Sequence, residues 1–301
     1  MVPVTALPLT EVHPAVWLLD VDQFGAPRQG GVYILPGKPT ALVEAGTSLA
    51  RDRILAALAH LGIAREDVGW IFLTHIHLDH AGGAGGLLQE LPQARAVVHA
   101  RGARHLVDPA RLVASVREAA RDRFPLYGTM DPVPAGRLHV AQDGEVFPGG
   151  RFRLRAVDAP GHAPHHLCYF ADGESLLFTG DAVGLYLGGV LLPSTVPPRF
   201  DLEASLATLR RLADLDPRLL LFTHFGPGSP DLLSQYARLL PAWVERVRQL
   251  GQGPVAEEEL VASVVAEAAR EGLIPPGPAR GDLAMAVRGV LGYLRQREGT
   301  A

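Results

Sequence analysis

The run His75-Ile76-His77-Leu78-Asp79-His80 places three imidazoles and a carboxylate within six residues. It continues Val68–Thr74, which reads as a short buried strand. Side chains at i and i+2 of an extended segment share a face, so His75 and His77 can grip one ion together. Asp79 and His80 lie just past the strand, where adjacent residues can address a second position. Gly82 and Gly83 let the backbone pass close to that position. Three further ligand types recur in a matching setting. His162 follows a strand ending at Val157, Asp181 follows one ending at Thr179, and His224 follows one ending at Phe222. Strand ends at one sheet edge converge in space, which is where α/β folds place their sites. Five histidines and two aspartates are too many for one tetrahedral ion. They suit two divalent ions sharing a carboxylate and a water. Zinc is the default for such ligands, and imidazole with carboxylate also accepts iron or manganese.

The elements that must position these residues alternate between strand and helix. Ala15–Val21, Val32–Leu35, Thr40–Glu44 and Ala94–His99 are apolar and β-rich. Ser48–Leu61 carries a helical stripe and stops at Gly62, and Leu87–Leu91 is helical. His105–Phe124 reads as one helical excursion and Pro125–Arg137 as an irregular one. Phe152–Val157, His166–Phe170, Ser175–Thr179 and Leu219–Phe222 are strands, with Asp172–Gly173 turning a hairpin. The longest uncharged run, Ala182–Pro198, reads as a loop because of its Gly and Pro. Asp201 caps a helix with Leu202, Leu206, Leu209 and Leu212 on one face. Beyond residue 228 the chain turns helical. Ser229 and Pro230 open a helix that Pro241 should kink or break. Ala256–Arg270 and Leu283–Arg297 follow across a Pro/Gly-rich link at Gly272–Gly281. The division expected is a core over 1–228 and a helical extension over 229–301. The extension's apolar stripes, Leu232–Leu240 and Val287–Leu294, are open to packing on the core or on a second copy in a homodimer.

Composition sets limits. With 301 residues and 48% hydrophobic content, the chain can bury a substantial core. A net charge of −4 disfavours nucleic acid as a partner and tilts the reading toward a small-molecule substrate. One cysteine excludes an intramolecular disulfide framework and a Cys-cluster zinc site. Met1–Val16 lacks the charge and apolar stretch of a targeting segment, and no run suits a membrane span. The expectation is a soluble cytoplasmic protein without a membrane partner.

The pattern His-x-His-x-Asp-His, then Gly-His, Gly-Asp and His resembles the metallo-β-lactamase-fold hydrolase superfamily, in order and over about residues 10–228. The resemblance implies an α+β fold, a four-layer αββα sandwich with the site at one edge of two sheets. It assigns His75, His77 and His162 to a first metal and Asp79, His80 and His224 to a second, with Asp181 bridging them. It implies a hydroxide shared by the ions attacking an ester, thioester or lactone carbonyl. Asp79 would orient the hydroxide and carry a proton, and Asp181 would fix the metal separation. The presence of Asp181, with Cys168 placed mid-strand, argues against β-lactam hydrolysis. Thr223-His224-Phe225-Gly226 differs from the Gly-His-Glu-Tyr usual in glyoxalase II members. Phosphodiester or RNA hydrolysis and a non-catalytic metal scaffold stay open as alternatives. Tyr127, Tyr186 and Arg199 are candidates for touching substrate, Tyr186 as a donor to a substrate oxygen. Leu185–Val196 is a candidate apolar pocket wall. His165 and His166 read first as turn and strand filler.

Overall fold

The computed structural model describes residues 7–251, 256–270 and 279–298. Two sheets face each other. The first runs β1 (Leu9–His13), β2 (Val16–Asp20), β3 (Gly31–Leu35), β4 (Thr40–Val43), β5 (Val68–Phe72), β6 (Arg95–His99) and β7 (Leu138–Ala141), in that spatial order. Its first four strands are antiparallel, and β4 to β7 are parallel. The parallel crossovers carry α1 (Arg51–His60), α2 (Leu78–Ala81), α3 (Ala84–Glu90), α4 (Ala100–Val107) and α5 (Ala110–Ala120). The second half supplies β8 (Val146–Gly149), β9 (Phe152–Asp158), β10 (Leu167–Ala171) and β11 (Leu176–Gly180). A ribbon of β12 (Leu185–Leu187) and β13 (Val190–Leu192) follows, then α6 (Leu202–Ala213), β14 (Leu219–Phe222) and β15 (Gly226–Gly228). The second sheet is ordered β15-β14-β11-β10-β9-β8, with β11 and β14 parallel.

Two-residue periodicity sorts the side chains into layers. Leu167, Tyr169 and Ala171 of β10 point between the sheets and meet Tyr33, Val43, Phe72 and Val97 of the first sheet. Cys168 and Phe170, on the other face of β10, join the helices after β14. Leu19, Ile34, Leu42 and Ile71 cover the outer face of the first sheet against Ile54, Leu58 and Leu87. The result is the four-layer αββα sandwich. α7 (Leu232–Leu250), α8 (Glu257–Arg270) and α9 (Ala279–Glu298) bury Tyr236, Val244, Val264, Val287 and Val290 in one cluster with Leu220 and Phe222 of β14. The stripes of the helical extension thus find partners on the sheet.

Several elements differ from expectation. The excursion after β6 begins at Ala100, where the His99 ring accepts the Arg101 N–H as a cap, and it breaks at Asp108–Pro109 into α4 and α5. Within the run read as a loop, Gly188 and Gly189 have φ of 60° and 83°, which turns the β12–β13 hairpin. Helix α7 starts after Asp231 and passes through Pro241 uninterrupted. Pro241 is exposed and Ala237, whose carbonyl it leaves without an N–H partner, is half-buried. The link expected at Gly272–Gly281 lies outside the described residues as far as 278, and α9 is helical from Ala279. None of the described helices is long and apolar enough to cross a membrane.

Cys168 offers a check on this packing. Its side chain is fully buried, its Sγ–H donates to the Thr179 carbonyl at 3.4 Å, and burial pushes its thiol far up. A thiol reagent is expected to leave the native protein unlabelled and to modify every chain after denaturation. Rapid labelling of native protein would contradict the assigned packing.

Candidate metal centre

Four loops deliver the seven sequence-predicted residues to one rim of the sandwich. His75 and His77 follow β5, and Asp79 and His80 occupy α2. His162 lies in the β9–β10 turn, Asp181 follows β11, and His224 lies between β14 and β15. Hydrogen bonds across the two sheets fix these ends. The Tyr33 hydroxyl donates to the Phe222 carbonyl at 2.6 Å, and the Tyr169 hydroxyl donates to that of Leu73 at 2.8 Å. The Leu167 N–H donates to the Thr74 carbonyl at 2.7 Å. Two glycines allow the close approach. Gly180 has φ of 48°, and a Cβ there would lie 2.6 Å from the His166 ring. Gly161 has φ of 140°, and a Cβ there would strike Ser205 of α6 at 2.3 Å.

The ligand atoms fall into three overlapping groups: His75, His77 and His162; His75, His80 and Asp181; Asp79, His80 and His224. His77 Nδ1 lies 2.9 Å from His75 Nε2 and 3.1 Å from His162 Nε2. His80 Nε2 and His224 Nε2 are 3.0 Å apart. Asp181 lies between the clusters, with Oδ2 3.7 Å from His162 Nε2 and Oδ1 3.4 Å and 3.6 Å from His80 and His224 Nε2. Asp79 Oδ2 is 3.6 Å from both of those nitrogens.

The outward ring nitrogens face acceptors. His80 Nδ1 donates to Glu44 Oε1 at 2.9 Å, His162 Nδ1 to the Ser194 carbonyl at 2.9 Å, and His224 Nδ1 to the Gln29 carbonyl. The Thr74 hydroxyl, which donates to Glu44 at 2.6 Å, accepts from His75 Nδ1 at 3.0 Å. This network turns ring lone pairs inward, where they converge with Asp79 and Asp181. Burial and neighbouring imidazoles hold His75 and His77 well below the usual histidine range, in the neutral form that binds metals. Burial also opposes charge on His80, but Asp79, Glu44 and Asp181 outweigh it and raise that ring to about 10. Burial likewise opposes charge on Asp181, and His80, His224 and His162 outweigh it and hold the carboxyl below its usual range. Asp181 Oδ1 is buried without a hydrogen-bond partner. The centre therefore calls for positive charge where the lone pairs meet, and its donor set fits divalent metal ions.

Sequence reasoning missed several contributors. Glu44, fully buried at the end of β4, accepts hydrogen bonds from the Thr74 N–H and hydroxyl, His80 and the Thr223 hydroxyl. A carboxylate closing an apolar strand was the available signal. Ser194 donates to Asp181 Oδ2 at 2.8 Å, and Gln23 reaches Asp79 at 3.5 Å. His166 is more than strand filler, since its Nε2 accepts the Asp181 N–H at 3.1 Å and its ring stacks on His75. Of the candidates for touching substrate, Tyr186 is a packing residue. Its ring packs against Phe222, 5.4 Å between centroids, outside the lining of both cavities beside the centre, and its N–H donates to the His224 carbonyl.

Two cavities meet at His77 and His162. One, of about 710 Å³, also exposes Asp79, Asp181 and His224 under Phe24, Val116, Tyr127, Leu185 and Met285. Leu185, Pro193, Ser194 and Val196 of the apolar run form part of its wall, as does Arg288 of α9. The other, of about 980 Å³, runs between α4, α5 and the loop before α6, and contains His165 and Arg199.

Comparisons place this architecture among known proteins. The pattern of the metallo-beta-lactamase superfamily matches residues 25–224. A metallo-beta-lactamase fold-containing protein of Sulfurisphaera tokodaii is 30% identical over 239 residues, covering 78% of this chain and 87% of that protein. An atrochrysone carboxyl ACP thioesterase of Aspergillus fumigatus is 30% identical over 190 residues, 62% of this chain, which spans 48% of the thioesterase's length. The crystal structure of a metallo-beta-lactamase family protein from Thermus thermophilus superposes with a TM-score of 0.71 at 26% identity, covering 96% of this chain and 95% of that one. With its motif order, four-layer fold and rim of converging His and Asp, the chain belongs to the metallo-beta-lactamase superfamily.

Proposed function

We propose that the protein is a dinuclear metal-dependent hydrolase of a small-molecule ester, thioester or lactone, with thioesters first. The observation that carries this reading is Asp181, whose two oxygens face the histidines of both ligand clusters. Two bound divalent ions, zinc by default and iron or manganese by the same ligands, would supply an acidic water and a Lewis acid for the carbonyl. The residues do the rest. Asp79 is the ligand carboxylate less tied down, its side chain 19% exposed in the smaller cavity. It is placed to orient the attacking water and to carry its proton to the leaving group. Gln23 steadies Asp79 from the side. The Phe24, Val116, Leu185 and Met285 wall receives an apolar acyl group and excludes water. The resemblance to a protein named as an acyl-carrier thioesterase favours a thioester.

The test is a panel of esters, thioesters, lactones and phosphodiesters offered to metal-loaded protein whose metal has been quantified. The expected result is about two ions per chain and turnover of a carbonyl substrate, abolished in His224→Ala. One ion or none with all seven residues intact, or activity that survives His224→Ala, would refute the reading. Turnover of phosphodiesters alone would move it to the nuclease side of the family.

A further inference from the structure

The larger cavity has a charge character that the metal chemistry does not use. Arg101 and Arg104 project from successive turns of α4, Arg111 from the start of α5, and Arg199 from the loop before α6. Arg101 donates to the Pro164 carbonyl at 3.4 Å and Arg104 to the His105 ring at 3.2 Å. Among the described residues, no carboxylate forms an ion pair with any of these four. Elsewhere in the protein arginines find acids: Arg155 with Asp172, Arg211 with Asp143, Arg248 with Glu245. Among the described residues, the single acid lining the cleft, Asp201, is engaged as the cap of α6 through the Ala204 N–H at 2.8 Å. In a chain with net charge −4, so local an excess of unpaired guanidinium is not a product of composition. Nearby imidazoles register the field. His105 is lowered by burial and then by Arg104 and Arg111, against Asp108, and His99 is lowered by burial and by Arg101, against Asp158.

The cleft opens onto His77 and His162, which also line the smaller cavity, where Arg121 and Arg288 are paired with Glu258 beside the apolar wall. A substrate lying across the centre would place an apolar group in one cavity and an anionic group in the other. Guanidinium forks match phosphate oxygens in pairs, and several converging on one cleft suit a phosphate better than a lone carboxylate. We propose that the arginine-walled cleft binds the phosphate of a phosphorylated thiol arm, making the substrate an acyl thioester of the phosphopantetheine type. The inference rests on the hydrolase reading above. The step is simple hydrolysis: water adds to the thioester carbonyl, the C–S bond breaks, and a carboxylic acid and a free thiol leave.

The experiment compares one acyl group carried on pantetheine and on 4′-phosphopantetheine, using full-length, metal-loaded protein. The phosphorylated thioester is expected to have about tenfold or higher kcat/KM, since charge-assisted hydrogen bonds are the strong ones. That advantage should shrink as salt rises. In an Arg104→Ala/Arg199→Ala protein the ratio between the two substrates should fall toward one. Equilibrium dialysis of 4′-phosphopantetheine and pantetheine themselves reads the cleft without turnover. Equal affinity and equal kcat/KM for the two arms, or a preference that persists in the double variant, would overturn the proposal. Arginine-dependent binding without cleavage of any thioester would leave the cleft standing and sink the hydrolase reading. Cleavage without phosphate preference would do the reverse. The same acyl arm attached to an acyl carrier protein separates the sources. A kcat/KM on the carrier no higher than on the free phosphorylated arm assigns a small-molecule thioester, and a further gain on the carrier, above the gain the free arm already shows, assigns a carrier protein.

Discussion

Replacing Glu44 with alanine is expected to lower the stability of the fold by about 3–5 kcal/mol, the usual cost of breaking a buried charged network. The same change should lower the metal held per chain, to one or fewer of the two ions proposed. Glu44 touches neither cavity, yet its carboxylate ties three strand ends together. Oε2 accepts the Thr74 N–H at 3.3 Å, and Oε1 accepts the Thr74 hydroxyl at 2.6 Å, His80 Nδ1 at 2.9 Å and the Thr223 hydroxyl at 3.0 Å. Alanine would leave these donors buried and unpaired, each at about 1–3 kcal/mol. Glu44 also sits at φ of 74°, a left-handed conformation that a non-glycine residue holds only when its surroundings enforce it. Metal loss follows from the partners. Without Oε1 the His80 ring loses the acceptor that fixes its tautomer and orientation. Thr74 and Thr223 directly precede His75 and His224, so both clusters loosen. Glu44→Gln keeps the shape and one oxygen but turns an amide N–H₂ toward groups that are already donors. Its loss should be smaller, about 1–3 kcal/mol. Urea titration followed by circular dichroism, with metal measured on the same samples, checks both effects. A Glu44→Ala protein within about 1 kcal/mol of wild type and holding two ions would show that the network does not brace the centre.

Why Glu44 escaped the sequence reading while His75, His77, Asp79 and His80 did not is a matter of where each one's partners lie. Ligand chemistry writes those four into a single strand end and the turn after it, so residue type and a spacing of two suffice. His162, Asp181 and His224 are legible because each follows an apolar strand and an abrupt turn. Glu44 acts on groups 36 and 179 residues away in the chain. Only the pairing of β4 with β5, and the placement of β14 opposite them, makes those residues neighbours. Ser194 and the Gln29 carbonyl fall in the same class. The packing of Tyr186 depends on a contact of the same kind. An apolar run containing Gly188-Gly189 folds back as a hairpin, and that turns the ring onto Phe222. Strands β8 and β15 contain Pro148 and Pro227 and lie at the two edges of their sheet, where a missing N–H is tolerated but the strand pattern is weak. The sandwich itself was legible through the resemblance. The alternation in β10, which feeds two different clusters from one strand, gives its physical basis.

The two aspartates of the centre should fail differently when mutated. Asp79→Asn is expected to lower kcat by about 10²–10⁴-fold, the range for losing a positioned proton carrier, with the unfolding midpoint close to wild type. Asp181→Asn is expected to lower both kcat and stability. Asp79 sits on the first turn of α2, open to the cavity, and Gln23 at 3.5 Å is its hydrogen-bond partner. Few hydrogen bonds of the fold depend on it, and Glu44 and Asp181 still face His80 when its charge is removed. Asp181 is buried, with Ser194 on Oδ2, its N–H on His166, and the imidazoles of His80, His162 and His224 around its oxygens. An amide there removes the negative charge that offsets His80, and its N–H₂ would donate to the inward ring lone pairs that a metal ion needs. Ser194, which contacts both Asp181 and His162, would keep only a neutral acceptor in place of a charged one, which loosens the first cluster as well. The decisive measurement pairs kcat with metal content and thermal midpoint for each variant. If Asp79→Asn unfolds the protein while Asp181→Asn keeps both ions and full stability, the roles of proton carrier and bridge have been assigned the wrong way round.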